Sequence, residues 1–520
     1  MSKKLIYFLI IFEGFSLVLF EILGAKILNS FYGNSTYVWS FILSFTLTGI
    51  AIGYFVGGKL SAKNVTSRIA ILLLLFSLSL LFTLAYSNYF FRYFVQQETF
   101  SGIIICCSIL ILPPLLFLGC LSPLFIQQLS DLEEKEQALT ISSKVYALST
   151  FAGIFGALLC GFILLDSLGI TKPLYFIALC ATLIGLINKM PNVIKIGAGI
   201  LFFILSSVTF GKFDETESRF AKILYSQEGI LGQIKVIDKP MMNSPVNGRI
   251  LSINGVTQTI IYNTHDAYNT WRYPHLINYF SLFKNDQSKA LLLGLGGGSI
   301  ARELKSRITD LDVVEIDPRI IDLAQEYFYL DPTGINLIHD DARSYIRSSK
   351  KKYDLVVYDV LTGEIQPNYV FTKEALGELT KVLNPGAVVI INFQGIVKGG
   401  DKAFGSLYKT FASSGFKVNY FADHVKTADD VIFVLSKAEL NFKDIDLKKL
   451  NKCCVMNKEF FKLYSSPFYN FVPDLRQFEI LTDDRPLLEH INRENIKKWR
   501  ADQNKYYFKD NLLSEISQFK

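Results

Sequence analysis

A glycine-rich turn followed by three acidic residues is the part of this sequence that could do chemistry. The turn lies in KALLLGLGGGSIARELK, where the apolar run Ala290 to Leu293 breaks into Gly294, Gly296 and Gly298 before a helical pattern begins. Glycine lets backbone N–H groups approach a ligand closely, and the N-terminus of the following helix favours negative charge. This spacing predicts a nucleotide-binding turn between a strand and a helix.

The three acidic residues follow the apolar segments that come next. Glu315 ends LDVVE about twenty residues past the turn, where a carboxylate can accept both hydroxyls of a ribose. Asp341 lies just past INLIHD, and Asp359 ends YDLVVYD. Ligands bind beyond the carboxyl ends of strands in open parallel sheets, so we expect the three carboxylates to face one crevice. Each could instead be a loop or helix-capping residue, but three in succession favour a site.

The elements that must position these residues predict an α/β domain in the second half of the chain. Strand-like runs precede the turn in YSQEGILGQIKVID and GRILSINGVTQTIIYN, and Asn254-Gly255 predicts a tight hairpin. After Asp359 come a helix, the strand AVVIINF, and the pair KVNYFA and VIFVLS, which predicts an antiparallel hairpin. We predict a β-strand subdomain at 213–275, a Rossmann-like nucleoside-binding domain at 276–440 and a helical tail at 441–520.

Residues 1–212 hold most of the hydrophobicity of a 520-residue chain that is 50% hydrophobic. They contain apolar runs of about spanning length, which predict a multi-pass α-helical membrane domain of about seven helices. The runs are Leu5–Leu28, Tyr37–Val56, Ile69–Tyr86, Gly102–Leu129, Val145–Leu165, Pro173–Asn188 and Ile194–Phe210. Gly49, Gly53, Gly57 and Gly58 in the second run, and Gly153, Gly156 and Gly161 in the fifth, predict close helix packing.

Two carboxylates, Glu13 and Glu21, lie near one face of the first predicted helix. Intramembrane carboxylates are costly and usually face a bundle interior or a water-filled cavity, so they are candidates for a polar pathway. Pairing of Glu21 with Lys26 is the structural alternative. The basic residues favour a cytoplasmic N-terminus, and seven spans would then place the second half outside. Because a nucleotide-type ligand is expected in the cytosol, we expect a cytoplasmic α/β domain. Either the count of seven is then wrong by one, a run such as Gly102–Leu129 is not a simple span, or the orientation is reversed.

Charge and cysteine usage exclude other classes of protein. The net charge of +6 is small for this length and its basic residues are scattered, so nucleic-acid binding is not expected. The seven cysteines and the histidines show no metal-ligand spacing, so no metal is expected.

The order NGVTQT, LLGLGGGSIARELK, VVEIDP, DDARSY, YDLVVYDV and LNPGAVVIINF resembles the spermidine synthase family, the polyamine aminopropyltransferases. That family has a class I methyltransferase-type Rossmann fold behind a small N-terminal β-domain. The segments FEGFSLVLFEILGAKIL, GIAIGYFVGGKL and YALSTFAGIFGALLCGFILLDSLG are similar to its membrane-fused bacterial branch. The resemblance implies an enzyme of the inner membrane that moves an aminopropyl group from decarboxylated S-adenosylmethionine to an amine such as putrescine.

The resemblance also implies roles for individual residues. Glu315 matches the acid that holds the ribose of the co-substrate, and Asp341 with Ala342 matches the pair that contacts the adenine. Asp359 matches the acid that serves as general base. Tyr273, Gln258 and Glu364 are weaker candidates for the amine side. The co-substrate is consumed, so no tightly bound cofactor is implied; the expected partners are a small amine, the lipid bilayer and a second copy of the chain.

Three positions depart from the family pattern. The family typically has GGGDGG at the turn, and the position of its aspartate is Gly297 in this sequence. The family also has D-S-S-D-P after the fourth strand, and the position of the second aspartate is Thr362 here. The amide common in the first β-hairpin is replaced by Gly232, with Gln233 adjacent. Because a bound ammonium needs carboxylates as partners, these departures predict weak putrescine binding unless Glu364 or Asp266 substitutes.

Two other functions remain open on the sequence. The missing acids are compatible with a transferase that uses S-adenosylmethionine itself on another substrate. Glu13 and Glu21 are compatible with a membrane transporter or sensor whose nucleoside-binding domain has no catalytic activity. Which donor binds to the α/β half would distinguish the two transferases, and release of methylthioadenosine would distinguish them from the transporter or sensor.

Overall fold

A computed structural model describes most of the chain in two compact units. The described residues are 1–32, 36–61, 64–94, 99–133, 137–188, 191–211, 217–218, 221–229, 231–241, 245–264, 267, 269–361, 363, 366–397, 401–422, 429–445 and 473–500. One unit consists mainly of residues up to Ser218, and the other mainly of residues from Lys235 onward.

The first unit is helical. Its helices are α1 (Lys3–Tyr32), α2 (Thr36–Leu60), α3 (Val65–Phe94), α4 (Thr99–Cys106), α5 (Leu112–Gly119), α6 (Leu121–Ser130), α7 (Ala138–Leu159), α8 (Leu165–Leu168), α9 (Thr171–Ile187) and α10 (Asn192–Gly211). The π-helical turns Cys107–Ile111 and Cys160–Leu164 join α4 to α5 and α7 to α8. All seven predicted runs are helical, which confirms the helical class of this half. In the described part of the chain, six stretches are long and apolar enough to cross a membrane, and the apolar α9 is shorter.

Glycines permit the closest helix contacts in this unit. A Cβ at Gly53 would lie 2.6 Å from the backbone oxygen of Leu116, and one at Gly153 would lie 2.8 Å from Cγ2 of Val18. The packing role predicted for glycines is confirmed at these two positions and at Gly49, Gly57 and Gly156. It is wrong at Gly58 and Gly161, where a Cβ would meet no described atom within 4 Å.

A small five-stranded sheet follows, with its strands in chain order. The strands are β1 (Glu217–Ser218), β2 (Ala221–Gln227), β3 (Ile234–Pro240), β4 (Asn247–Ile253) and β5 (Val256–Tyr262). Strands β4 and β5 pair antiparallel up to Ile253 and Val256. The two residues between them, Asn254 and Gly255, have φ of 51° and 75°, as a two-residue hairpin turn of this kind requires. The predicted hairpin is confirmed.

The larger sheet has seven strands in the order β11-β12-β10-β9-β6-β7-β8. Its strands are β6 (Lys289–Leu293), β7 (Asp310–Glu315), β8 (Ile335–His339), β9 (Tyr353–Tyr358), β10 (Leu383–Gly395), β11 (Lys417–Ala422) and β12 (Asp429–Ser436). Strands β6 to β10 run parallel, and β12 pairs antiparallel with both β10 and β11. The Rossmann-like class and the closing hairpin are both confirmed.

The order of the strands places a ligand crevice at β6 and β9. Strands β7 and β8 follow on one side of β6, and the chain then crosses to the other side of β6 to form β9. Helices cover the sheet, so its central strands are continuous apolar runs rather than alternating ones. These helices are α11 (Tyr273–Ser281), α12 (Ser299–Lys305), α13 (Pro318–Glu326), α14 (Ala342–Ser348), α15 (Lys373–Lys381), α16 (Lys402–Ser413) and α17 (Leu488–Ile491). The switch between β6 and β9 opens the crevice at their carboxyl ends.

Residues near the C-terminus pack into the same unit. Leu481 and Leu488 are buried in its core, and the backbone oxygen of Leu481 accepts a hydrogen bond from Lys373 at 2.8 Å. Arg343 on α14 donates to both carboxylate oxygens of Asp483 at 2.7 Å. These contacts tie the segment around Asp483 to α14 and α15, which flank the predicted site.

Candidate active site

The glycine turn brings the end of β6 against the end of β9. Gly294 has φ of 90°, and a Cβ on it would overlap the backbone oxygen of Asp359. The backbone N–H of Asp359 in turn donates to Leu293 at 2.8 Å. Only glycine allows both the left-handed backbone and this close approach. Gly296 and Gly298 also have positive φ, and Gly298 is the N-cap of α12, which begins at Ser299.

Glu315 is buried at the end of β7 and is held by backbone groups. Its Oε2 accepts from the N–H of Leu295 in the glycine turn at 2.9 Å, and its Oε1 accepts from the N–H of Asp317 at 3.0 Å. Burial raises the pKa of Glu315 above its ordinary value, while these two N–H groups oppose the rise. Each oxygen retains a lone pair, so the carboxylate can still accept two hydroxyls.

Asp341 caps the N-terminus of α14, which begins at Ala342. Its Oδ1 accepts from the backbone N–H groups of Arg343 at 3.0 Å and Ser344 at 2.9 Å, and its Oδ2 accepts from the Tyr369 hydroxyl. The capping function, which the sequence left as an alternative, is therefore present. A cap leaves part of the carboxylate available to a ligand. Contact of Asp341 and Ala342 with an adenine is therefore compatible with capping and stays a prediction.

Asp359 lies directly after β9, partly exposed at the crevice, with two side-chain donors. Asn392 donates from Nδ2 to its Oδ1 at 2.9 Å, and the Tyr273 hydroxyl donates to its Oδ2 at 3.3 Å. Tyr273 begins α11, and Asn392 lies on β10, so three elements orient one carboxylate. Of the predicted amine-side residues that the structure describes, Tyr273 contacts Asp359 and Gln258 does not.

The surroundings of Asp359 favour a proton acceptor that works near neutral pH. Burial raises the pKa of Asp359 to about 6, although the hydrogen bonds from Asn392 and Tyr273 act in the opposite direction. Burial and the neighbouring Asp359 raise the pKa of Tyr273 well above its ordinary value, so its hydroxyl remains a donor. A base whose pKa lies close to the working pH transfers protons efficiently.

Gly297, where the resembling family has an acid, has no room for a side chain. A Cβ there would lie 2.7 Å from Cγ2 of Thr259 and 3.0 Å from Cδ1 of Phe328. The N–H of Gly297 also donates to Oγ1 of Thr259 at 3.0 Å. The structure thus gives a physical reason for the missing acid, because Thr259 occupies the space that its side chain would need.

The remaining predicted residues are farther from this contact network or are not described. Gln258 on β5 donates from Nε2 to the backbone oxygen of Gly363 at 3.0 Å, which ties the small sheet to the loop after β9. Glu364, Asp266 and Thr362 lie outside the described residues. In the part of the chain that the structure describes, no group of three or more histidine, cysteine, aspartate or glutamate side chains could hold a metal ion.

Two residues in this network were not predicted. Asn392 contacts Asp359 directly, and Gln366 donates from Nε2 to the backbone oxygen of Asn392 at 2.9 Å. A signal for Asn392 was present, because it follows the apolar run AVVII on the next parallel strand and so obeys the rule that identified Asp359. No local pattern marks Gln366, which lies in a loop.

Comparisons with known proteins relate the second half of the chain to one enzyme family. Residues 239–449 match the family model described as "Spermine/spermidine synthase domain". The chain is 24% identical over 476 residues to polyamine aminopropyltransferase 2 of Aquifex aeolicus (strain VF5), which covers 86% of this chain and 91% of that protein. An alignment of this length includes residues of the helical unit.

Other relatives match shorter parts of the chain. A polyamine aminopropyltransferase of Vibrio vulnificus (strain CMCP6) is 35% identical over 117 residues, 21% of this chain and 39% of that protein. An N-terminal histidine N-methyltransferase of Emericella nidulans is 37% identical over 131 residues, 24% of this chain and 22% of that protein. These two matches thus span well under half of each relative. The crystal structure of a spermidine synthase from Thermotoga maritima has a TM-score of 0.39 at 20% identity, covering 48% of this chain and 86% of that one.

Proposed function

We propose that this chain, in which residues 239–449 form a spermine/spermidine synthase domain, is a membrane-anchored aminopropyltransferase. It moves an aminopropyl group from decarboxylated S-adenosylmethionine to a small amine such as putrescine and releases methylthioadenosine. The proposal is supported most by one observation, the position of Asp359. The backbone of Asp359 lies against the glycine turn, and both oxygens of its carboxylate are held by side-chain donors.

The reaction that this site would perform is a displacement at carbon. The amine nitrogen attacks the methylene carbon next to the sulfonium, the new C–N bond forms, and the C–S bond breaks with its electron pair leaving on sulfur. An ammonium has no lone pair, so Asp359 must first accept one of its protons. Tyr273 and Asn392 hold the carboxylate in place, which lowers the entropic cost of reaching an in-line geometry.

Glu315 and the glycine turn would hold the nucleoside part of the co-substrate. Two ribose hydroxyls would donate to the oxygens of Glu315, whose orientation is set by Leu295 and Asp317. Asp341 and Ala342 would lie at the adenine. The sulfonium would then lie between the turn and Asp359, where the end of β6 meets the end of β9.

Two alternative functions also have observations in their favour. Gly297 has no acid to bind an aminopropyl ammonium, and one relative is an N-methyltransferase, so a transferase using S-adenosylmethionine itself is the second candidate. In the helical unit, Glu13 is 1% exposed and accepts hydrogen bonds from Ser122 at 3.0 Å and Ser149 at 2.7 Å. This polar contact between three apolar helices favours a transporter or sensor as the third candidate.

We propose a multi-pass inner-membrane protein with its α/β unit in the cytoplasm. An even number of spans returns a chain to its starting side, and six of the described helical stretches reach spanning length. Helix α9 has 17 residues, or about 25 Å at 1.5 Å per residue, which is shorter than a typical hydrocarbon core of about 30 Å. A homodimer remains part of the proposal.

Methylthioadenosine release tests the function directly. The full chain in detergent would be incubated with decarboxylated S-adenosylmethionine or S-adenosylmethionine and a panel of amines. Release of methylthioadenosine with at least one amine, and only from the decarboxylated donor, is expected. A protein that binds the donor but releases nothing with any amine contradicts the aminopropyltransferase and favours the other two candidates.

A further inference from the structure

Two buried amide oxygens in the contact network of Asp359 have no hydrogen-bond partner among the residues that the structure describes. Gln366 is 4% exposed and Asn392 is 1% exposed, and each uses its amide N–H on a neighbour within the site. Within the part of the chain that the structure describes, no donor reaches Oε1 of Gln366 or Oδ1 of Asn392. A buried carbonyl without a donor is costly, and such atoms in native proteins call for an explanation.

The contact network connects both amides to the proposed base. Asn392 donates to Asp359, and Gln366 donates to the backbone oxygen of Asn392. This oxygen has no partner on β9, because the pairing of β10 with β9 ends at Ile391 and Tyr358. Gln366 therefore lies where β9 and β10 separate, and Asn392 connects it to Asp359.

We propose that Gln366 is a specificity-determining residue that binds the acceptor amine through its amide oxygen. The proposal rests on the proposed function, since it names a further residue for the amine of the same site. A primary ammonium offers three N–H donors, and the carboxylate of Asp359 with the amide oxygens of Asn392 and Gln366 offers three acceptors. Neutral oxygens satisfy the N–H groups without adding the negative charge that would hold the proton on the amine.

The test distinguishes the role of the Gln366 amide oxygen in amine binding from the role of its amide N–H, which binds the backbone of Asn392. Gln366→Met and Gln366→Glu both lose the N–H that binds the backbone of Asn392, but only the glutamate keeps an oxygen acceptor. Binding of putrescine and of n-butylamine to the full chain saturated with methylthioadenosine would be measured by calorimetry in detergent. We expect Gln366→Met to weaken binding of both amines about tenfold, and Gln366→Glu to bind them at least as tightly as wild type.

A matched control is available on α13. Gln325 also donates from Nε2 to a backbone oxygen, that of Ile321 at 3.0 Å, but lies outside the contact network of Asp359. Gln325→Met should leave the affinity for amines unchanged. Affinity for methylthioadenosine, measured first, should be the same in all variants and shows that the site is folded.

Three results overturn the proposal: equal amine affinities for Gln366→Met and wild type, an equal loss in Gln366→Met and Gln366→Glu, or no amine binding by the wild type. An equal loss would mean that Gln366 acts only through its bond to Asn392. The proposed function is judged separately by turnover. Amine binding that depends on the oxygen at position 366, without methylthioadenosine release, would refute the function and support the amine subsite.

Discussion

Replacing Asp359 by asparagine should lower turnover sharply while making the protein more stable at neutral pH. Asparagine keeps the shape of the side chain, and Asn392 and Tyr273 can still contact it. The group lost is a proton acceptor, which contributes about 10²–10⁴-fold to a rate. We expect methylthioadenosine release to fall by at least this factor and nucleoside affinity to change little, because Glu315 and the glycine turn are untouched.

The pH dependence gives a second, independent measure of the same group. Since a base works in its deprotonated form, wild-type kcat/KM should fall as pH decreases through about 6, where Asp359 titrates. This decrease of kcat/KM at acid pH, the acid limb of the profile, should be absent from the residual activity of Asp359→Asn.

The raised pKa also predicts a change in stability. The pKa of Asp359 rises from 3.8 to about 6, and at about 1.4 kcal/mol per pKa unit the ionised carboxylate costs the folded state about 3 kcal/mol. The protonated carboxylate has no such cost, so the penalty is absent below about pH 4 and develops as pH rises through about 6. Asp359→Asn should therefore melt above wild type at neutral pH, with a gain that shrinks in acid.

Methylthioadenosine release over a range of pH, calorimetric nucleoside binding and thermal melting of the full chain in detergent measure these three effects. A variant that keeps more than a tenth of wild-type turnover, or an acid limb that persists without the carboxylate, would refute the assignment of Asp359 as base. A loss of nucleoside affinity would instead show that the substitution damages the site.

Three further predictions follow from other contacts. Glu315→Gln should weaken methylthioadenosine binding by about 1.5–3 kcal/mol, because an amide offers only one acceptor to the two ribose hydroxyls; unchanged affinity by calorimetry would remove the ribose assignment. Gly297→Ala should lower the melting temperature of the full chain, since its Cβ would lie 2.7 Å from Cγ2 of Thr259. Adding Thr259→Ser to this variant removes that methyl group and should restore part of the loss. An unchanged melting temperature for Gly297→Ala would show that the turn adjusts freely. Glu13→Gln should alter polyamine uptake or efflux in cells, whereas Glu21→Gln should not, because Glu21 lacks the contacts that Glu13 makes with Ser122 and Ser149. Equal flux in both variants at equal abundance would show that Glu13 has only a structural role.

Much of the site could be predicted because its signals are local. The apolar run before Gly294, the acid about twenty residues later and the acids after two more strands are features of short segments. A parallel sheet then places the carboxyl ends of these segments at one edge, whatever the rest of the chain does. The role of each predicted residue with a ligand stays a prediction, although Glu315 and Asp359 both contact the turn.

The sequence by itself determined the apolar helical first half, the strand runs and the glycine turn, because hydrophobic periodicity and the need for positive φ are encoded in neighbouring residues. Only the tertiary structure decided which groups complete the site. Asn392 is 33 residues from Asp359, and Asp483 is 140 residues from Arg343, yet both pairs share hydrogen bonds. Likewise, the space that an acid at position 297 would need is filled by Thr259 from another sheet. Such contacts depend on how distant segments pack, and no local pattern along the chain specifies them.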